Sequence, residues 1–173
     1  MMREFLHSLL LISLTSSISM AQCNQVVREV NKQVDRIIVK SISVGNGWTE
    51  PVQYEQVTDN GTTQFYIHIY ALEGSLVDRK GAYVIFKDGT VLAWPQAKVM
   101  ASPKGVVDVN QCLLRLTESE IEQFQEKQII SIRLSTQERS LTLAQSQRAQ
   151  NIINCVLYAQ YSDIKSDKLV NHL

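Results

Sequence analysis

Val52-Gln53-Tyr54-Glu55-Gln56-Val57-Thr58-Asp59-Asn60-Gly61-Thr62-Thr63-Gln64-Phe65-Tyr66-Ile67-His68-Ile69-Tyr70-Ala71 reads as one β-hairpin. Asn60-Gly61 readily supplies the positive φ angles of a tight turn. The runs Val52 to Val57 and Thr62 to Ala71 on either side are rich in β-branched and aromatic residues. Along the second run, Phe65, Ile67 and Ile69 point to one face of a strand, and Tyr66, His68 and Tyr70 to the other.

The same turn chemistry recurs downstream. Ala82 to Phe86 and Thr90 to Trp94 flank Lys87-Asp88-Gly89, and Pro95 then lacks the donor that further pairing requires. Upstream, Arg36 to Val44 is a β-branched strand that ends at Gly45-Asn46-Gly47. Val26, Val27, Val30 and Val34 fall at helix-like steps, which predicts a short helix over 24–34 leading into that strand.

The second half changes pattern. Val106 to Leu116 is a strand, and Thr117 with Glu120 forms a capping box for a helix carrying Ile121 and Phe124. Ile129 to Leu134 is another strand. Thr142 with Gln145 opens a second helix, with Ala149, Ile152, Ile153, Val156 and Leu157 on one face. The strand–helix–strand order around Glu118 predicts a right-handed crossover. Together these features predict an α+β fold: a mostly antiparallel sheet built from hairpins, with two helices in the C-terminal half. A β-sandwich with peripheral helices is the alternative.

Composition bounds the function. The chain has 173 residues, with 17 Lys plus Arg against 17 Asp plus Glu. This balance gives no basic excess for a nucleic acid or an anionic membrane. Arg3, an apolar run from Phe5 to Ile18, and small residues at Ser19 and Ala21 read as an export signal over 1–21. Ser13, Thr15, Ser16 and Ser17 interrupt the run too much for a membrane span. A single globular domain over 22–160 and a mobile tail over 161–173 would follow. No later segment is apolar enough to cross a bilayer, so the exported protein is expected to be secreted or periplasmic.

In an oxidising compartment, three cysteines allow one disulfide and leave one thiol. Cys23 and Cys155 would staple the two ends of the domain, although sequence alone does not fix the connectivity. Lipidation of Cys23 is a second reading, disfavoured by Gln22 where a small residue is wanted. Cys112, among Val106, Val107, Val109, Leu113 and Leu114, reads as a buried strand thiol.

The stretch from Trp48 to Cys155 resembles small exported proteins of unknown function from Bacteroidetes-type bacteria. The residues carrying this are Thr49-Glu50-Pro51-Val52, Asn60-Gly61-Thr62-Thr63, and Lys80-Gly81-Ala82-Tyr83-Val84-Ile85-Phe86-Lys87-Asp88-Gly89-Thr90. Arg115-Leu116-Thr117, Ile132-Arg133-Leu134 and Cys155 add to it. The resemblance implies export and one fold across the stretch. It implies no reaction.

Chemistry is sparse. His68 is the only histidine inside the expected domain, so no clustered zinc set exists, and no spacing points to a cofactor. Apolar surroundings would leave Cys112 inert, and there is no Gly-x-Ser-x-Gly elbow. Asp59 and Asp88 sit in turns, where carboxylates bond local backbone. The early glutamates of the first helix suit its dipole. Tyr66, His68 and Tyr70 make an amphipathic aromatic stripe suited to a protein, peptide or glycan partner. Arg115 and Arg133, if the crossover brings their strands together, could grip a carboxylate or phosphate. The expected function is a non-enzymatic binding module, with a hydrolase built on an unrecognised carboxylate pair as the alternative.

Overall fold

The computed structural model describes residues 23–42, 50–72, 79–104 and 107–159. The expected export signal, the segment after Gln160 and the Gly45-Asn46-Gly47 turn lie outside the described residues.

Among the described residues, ten strands form two antiparallel sheets. The larger contains β1 (Val26–Asn31), β2 (Arg36–Ser41), β3 (Val52–Asp59), β4 (Thr62–Leu72), β7 (Met100–Lys104) and β8 (Val107–Arg115), in the order β1-β2-β3-β4-β8-β7. The smaller contains β5 (Lys80–Phe86), β6 (Val91–Lys98), β9 (Ile129–Leu134) and β10 (Gln137–Ser140), in the order β10-β9-β5-β6. Two helices come late in the described chain, α1 (Glu118–Glu126) and α2 (Leu143–Leu157). The fold is α+β, and its antiparallel sheets are built from hairpins.

One face of the larger sheet is covered twice. β9 of the smaller sheet packs on β4 and β8, while α2 lies over β1, β2 and β3 and also touches α1. The core therefore runs between a six-stranded layer and a mixed layer of sheet and helix. Phe124 of α1 sits at the seam. Its ring meets Tyr54 of the larger sheet edge-on at 5.9 Å and Phe86 of the smaller at 5.5 Å. All three side chains are fully buried.

Local chemistry explains most elements. The Asn60-Gly61 turn takes φ of 47° and 76°, and it pairs Asp59 with Thr62. Both capping boxes form, Thr117 with Glu120 and Thr142 with Gln145. Gly81 (φ 93°) sits where the β5–β6 register shifts. A Cβ there would stand 3.1 Å from the Tyr83 ring, in a conformation that only glycine adopts easily.

Three expectations need correction. Residues 26–31 form a strand, not a helix. Only a 3-10 turn (Cys23–Gln25) precedes it, and Asn31 ends it by accepting from the Gln33 backbone. Here β-branched valines paired with β2 outweigh their helix-like spacing. Pairing does not stop at Pro95 either. β6 is an edge strand, so a missing donor costs nothing on its open side, and Lys98 pairs with Lys80 after the bulge. Finally, β8 and β9 make no crossover. β8 is already paired on both sides, by β4 and β7, so α1 hands the chain to the smaller sheet instead.

Cys23 and Cys155 have their sulfurs 2.04 Å apart, at bonding distance, and their Cα atoms 5.3 Å apart. Cys112 is buried on the inner face, opposite Ile69.

Candidate functional site

The register fixed by the Asn-Gly turn decides what surrounds the aromatic stripe. Residues directly opposite in an antiparallel pair share a face. Tyr66 therefore lies in a row that crosses four strands, Lys40–Glu55–Tyr66–Arg115. The next row is Gln53–His68–Leu113, and the third is Tyr70–Gln111–Met100. These residues occupy the face of the larger sheet turned away from the core. No described element packs over it. Leu113 is 49% exposed and Met100 40%.

Diagonal contacts link the rows. His68 Nε2 lies 2.9 Å from Glu55 Oε2, with the two side chains 24% and 22% exposed. The Tyr70 hydroxyl donates to Gln53 Oε1 at 3.0 Å, and that of Tyr66 donates to Gln64 Oε1. The His68 and Tyr70 rings are nearly parallel, at 9°, with centroids 6.3 Å apart. Lys40 pairs with Glu29 of β1 at 2.8 Å. Burial pushes the Tyr70 phenol up to about 12, helped by the negative charge of Glu55. It is thus a neutral hydrogen-bonding group across the physiological range.

Beside these rings lies a cavity of about 320 Å³ lined by Lys40, Ile42, Gln53, Glu55, His68 and Tyr70. Its size is at the small end of ligand sites. Glu55 is the one carboxylate among its described lining residues. The arrangement offers aromatic surface, a His–carboxylate pair, an amide and an ammonium. Among the described residues it offers no activated nucleophile: Cys112 faces the opposite side of the sheet, and burial pushes its thiol up to about 11.

The structure gathers Tyr66, His68, Tyr70 and Arg115 on this face. Arg133 is elsewhere, on β9 of the smaller sheet, with its guanidinium carbon 4.2 Å from the Tyr83 ring centroid. The two arginines do not converge, because the crossover that would have made their strands neighbours is absent. Asp59 accepts from the Asn60 side chain. Asp88 accepts from the Thr90 backbone and pairs with Lys127 at 3.1 Å. Hydrogen bonds from Thr90 hold the Asp88 carboxyl down at about 2, with Lys127 assisting. Both carboxylates serve their turns.

Gln53, Glu55 and Lys40 were not singled out from the sequence. A two-residue turn that pairs 59 with 62 sets Gln53 opposite His68 and Glu55 opposite Tyr66, so the hairpin already contained that signal. A further buried charge also escapes sequence reading. Glu50 is buried, and its Oε1 lies 3.1 Å from Arg148 Nε of α2. Arg139 Nη1 donates to the Tyr70 carbonyl at 3.4 Å.

Among the described residues, no cluster of three or more His, Cys, Asp or Glu side chains is placed to hold a metal ion, and no helix is long and apolar enough to cross a membrane. Comparison with protein-family models, curated proteins and solved structures finds no match.

Proposed function

We propose that this protein is a non-enzymatic binding module that works outside the cytoplasm, engaging a protein, peptide or glycan through the outer face of its larger sheet. The observation that carries the reading is the position of Tyr66, His68 and Tyr70. Aromatic side chains supply large contact area at low entropic cost. Here they stand on a face with exposed Leu113 and Met100 and beside a cavity, while the residues between them on the strand fill the core. The polar groups of this face are bonded to one another, which holds the rings in fixed orientation.

Export is supported by the leader-like first 21 residues, by a cysteine pair at disulfide distance, and by the resemblance to small exported Bacteroidetes-type proteins. Mass spectrometry of cell fractions tests this. An exported form beginning at Gln22 is expected, and a soluble cytosolic form retaining Met1 sinks it.

The binding reading is tested by affinity capture from envelope extract with three proteins: wild type, Tyr66→Ala/Tyr70→Ala, and Tyr83→Ala on the smaller sheet. The expected result is a partner retained by the wild type and Tyr83→Ala and lost by the double variant. Equal recovery by all three removes the stripe as the binding surface.

A further inference from the structure

A larger cleft, of about 570 Å³, runs along α2 and is lined chiefly by carboxamides: Gln25, Gln128, Gln147, Gln150 and Asn151, together with Arg148. It is distinct from the aromatic stripe, with no lining residue in common. Among the described residues, the side chains of Gln25, Gln128, Gln147 and Asn151 make no hydrogen bond. Gln150 uses its amide on the Gln125 carbonyl at 3.0 Å, which ties α2 to α1.

The charge pattern narrows the ligand. A fifth of the whole chain is charged, yet among the described residues of this lining Arg148 is the one charged side chain, and it already faces Glu50 at 3.1 Å. The described lining has no carboxylate for a cation. The charge of its arginine is balanced by Glu50, which leaves a polyanion no net counter-charge among the described lining residues. Among the described residues it has no aromatic ring, and its apolar lining is only Ala144 and the buried Ile152, which offers no seat for the large side chains that anchor peptides. A carboxamide donates twice and accepts at its oxygen. Several unengaged carboxamides side by side therefore match a ligand whose neighbouring groups both donate and accept. Vicinal hydroxyls do so without charge.

We propose that this cleft is a binding site for a neutral, hydroxyl-rich chain, that is, an uncharged glycan. The Ala144 and Asn151 positions, with Gln147 and Arg148 between them, follow one face of α2 at helical spacing, so the site lies on a rigid element. The proposal does not depend on the sheet face reading, and either can fail alone.

The test is a two-dimensional amide NMR titration of the purified protein, following side-chain NH2 signals. The probes are neutral cello-, malto-, xylo- and manno-oligosaccharides, an oligogalacturonate and an uncharged peptide. The comparison protein is Gln147→Ala/Asn151→Ala, whose alanines favour the helix and preserve the fold. The expected result is movement of the Gln25, Gln128, Gln147 and Asn151 signals with at least one neutral oligosaccharide. Loss of these contacts in the double variant should weaken that binding by about tenfold. Response only to the oligogalacturonate, only to the peptide, or to none of the probes at millimolar concentration overturns the proposal. So does sugar binding that maps to Tyr66 and Tyr70, or that the double variant retains at full strength.

Discussion

Among the described residues, Tyr54 is the largest fully buried side chain, and its hydroxyl has no hydrogen-bond partner there. A buried hydroxyl left unpaired costs about 1–3 kcal/mol. Its ring packs against Phe65 and Phe124, so removing only the oxygen keeps the contacts. Tyr54→Phe is therefore expected to stabilise the protein by about 1 kcal/mol, read as a higher urea midpoint at unchanged slope. A lower midpoint would show that the hydroxyl has a partner after all. Tyr70 gives a pH signature. Its folded pKa of about 12 lies above the ordinary 10.0, so its stabilising contribution is intact below pH 10 and lost as pH rises through 12. Phenolate absorbance should show this tyrosine ionising well above the ordinary 10.0 in the folded protein and near it on unfolding. Cys112, buried and held near 11, should resist iodoacetamide at neutral pH and react only on denaturation.

At the scale of elements, the helices owe their starts to side chains. Thr142 accepts from the Gln145 backbone at 3.2 Å while Gln145 accepts from the Thr142 backbone at 3.0 Å. Thr142→Ala should cost about 1 kcal/mol by denaturant unfolding, and Thr142→Ser much less. Deleting Phe124 to alanine opens the seam between sheets and helix, and should cost about 3–5 kcal/mol. The capping boxes and both Gly-containing turns were legible in the sequence because their signals are local. The strands they flank were legible for the same reason. β7 and β10 were not: Gln137-Glu138-Arg139-Ser140 has no apolar alternation and is a strand because a two-residue turn with Ser135 at φ 55° folds it back on β9. β1 misled through valine spacing alone. Which sheet a strand joins was also unreadable, since that depends on which edges its neighbours leave open. The stripe could be read from alternation. Its partners Gln53 and Glu55 required the register, and the carboxamide cleft required three segments brought together from 25, 128 and 147–151.

At the scale of the molecule, the Cys23–Cys155 pair spans 132 residues. The chain-entropy account puts closure of so long a loop on the order of 5 kcal/mol as an upper figure. Reduction, or Cys23→Ser/Cys155→Ser, should lower unfolding free energy by about 2–5 kcal/mol while leaving the far-ultraviolet spectrum of the folded state unchanged. An unaltered urea midpoint under reducing conditions would mean that the bridge does not form in solution.

The same closeness has a topological consequence. With their Cα atoms 5.3 Å apart, residues 23 and 155 make the described chain nearly a ring, so its sequence order has no privileged starting point. Joining the end of α2, after residue 159, to Cys23 through a short linker and opening the ring between Asn60 and Gly61, an exposed turn, should give a circular permutant that folds to the same ten described strands. Such a molecule would no longer need a cystine to hold its edge strand beside its last helix, and it could be made in a reducing cytosol.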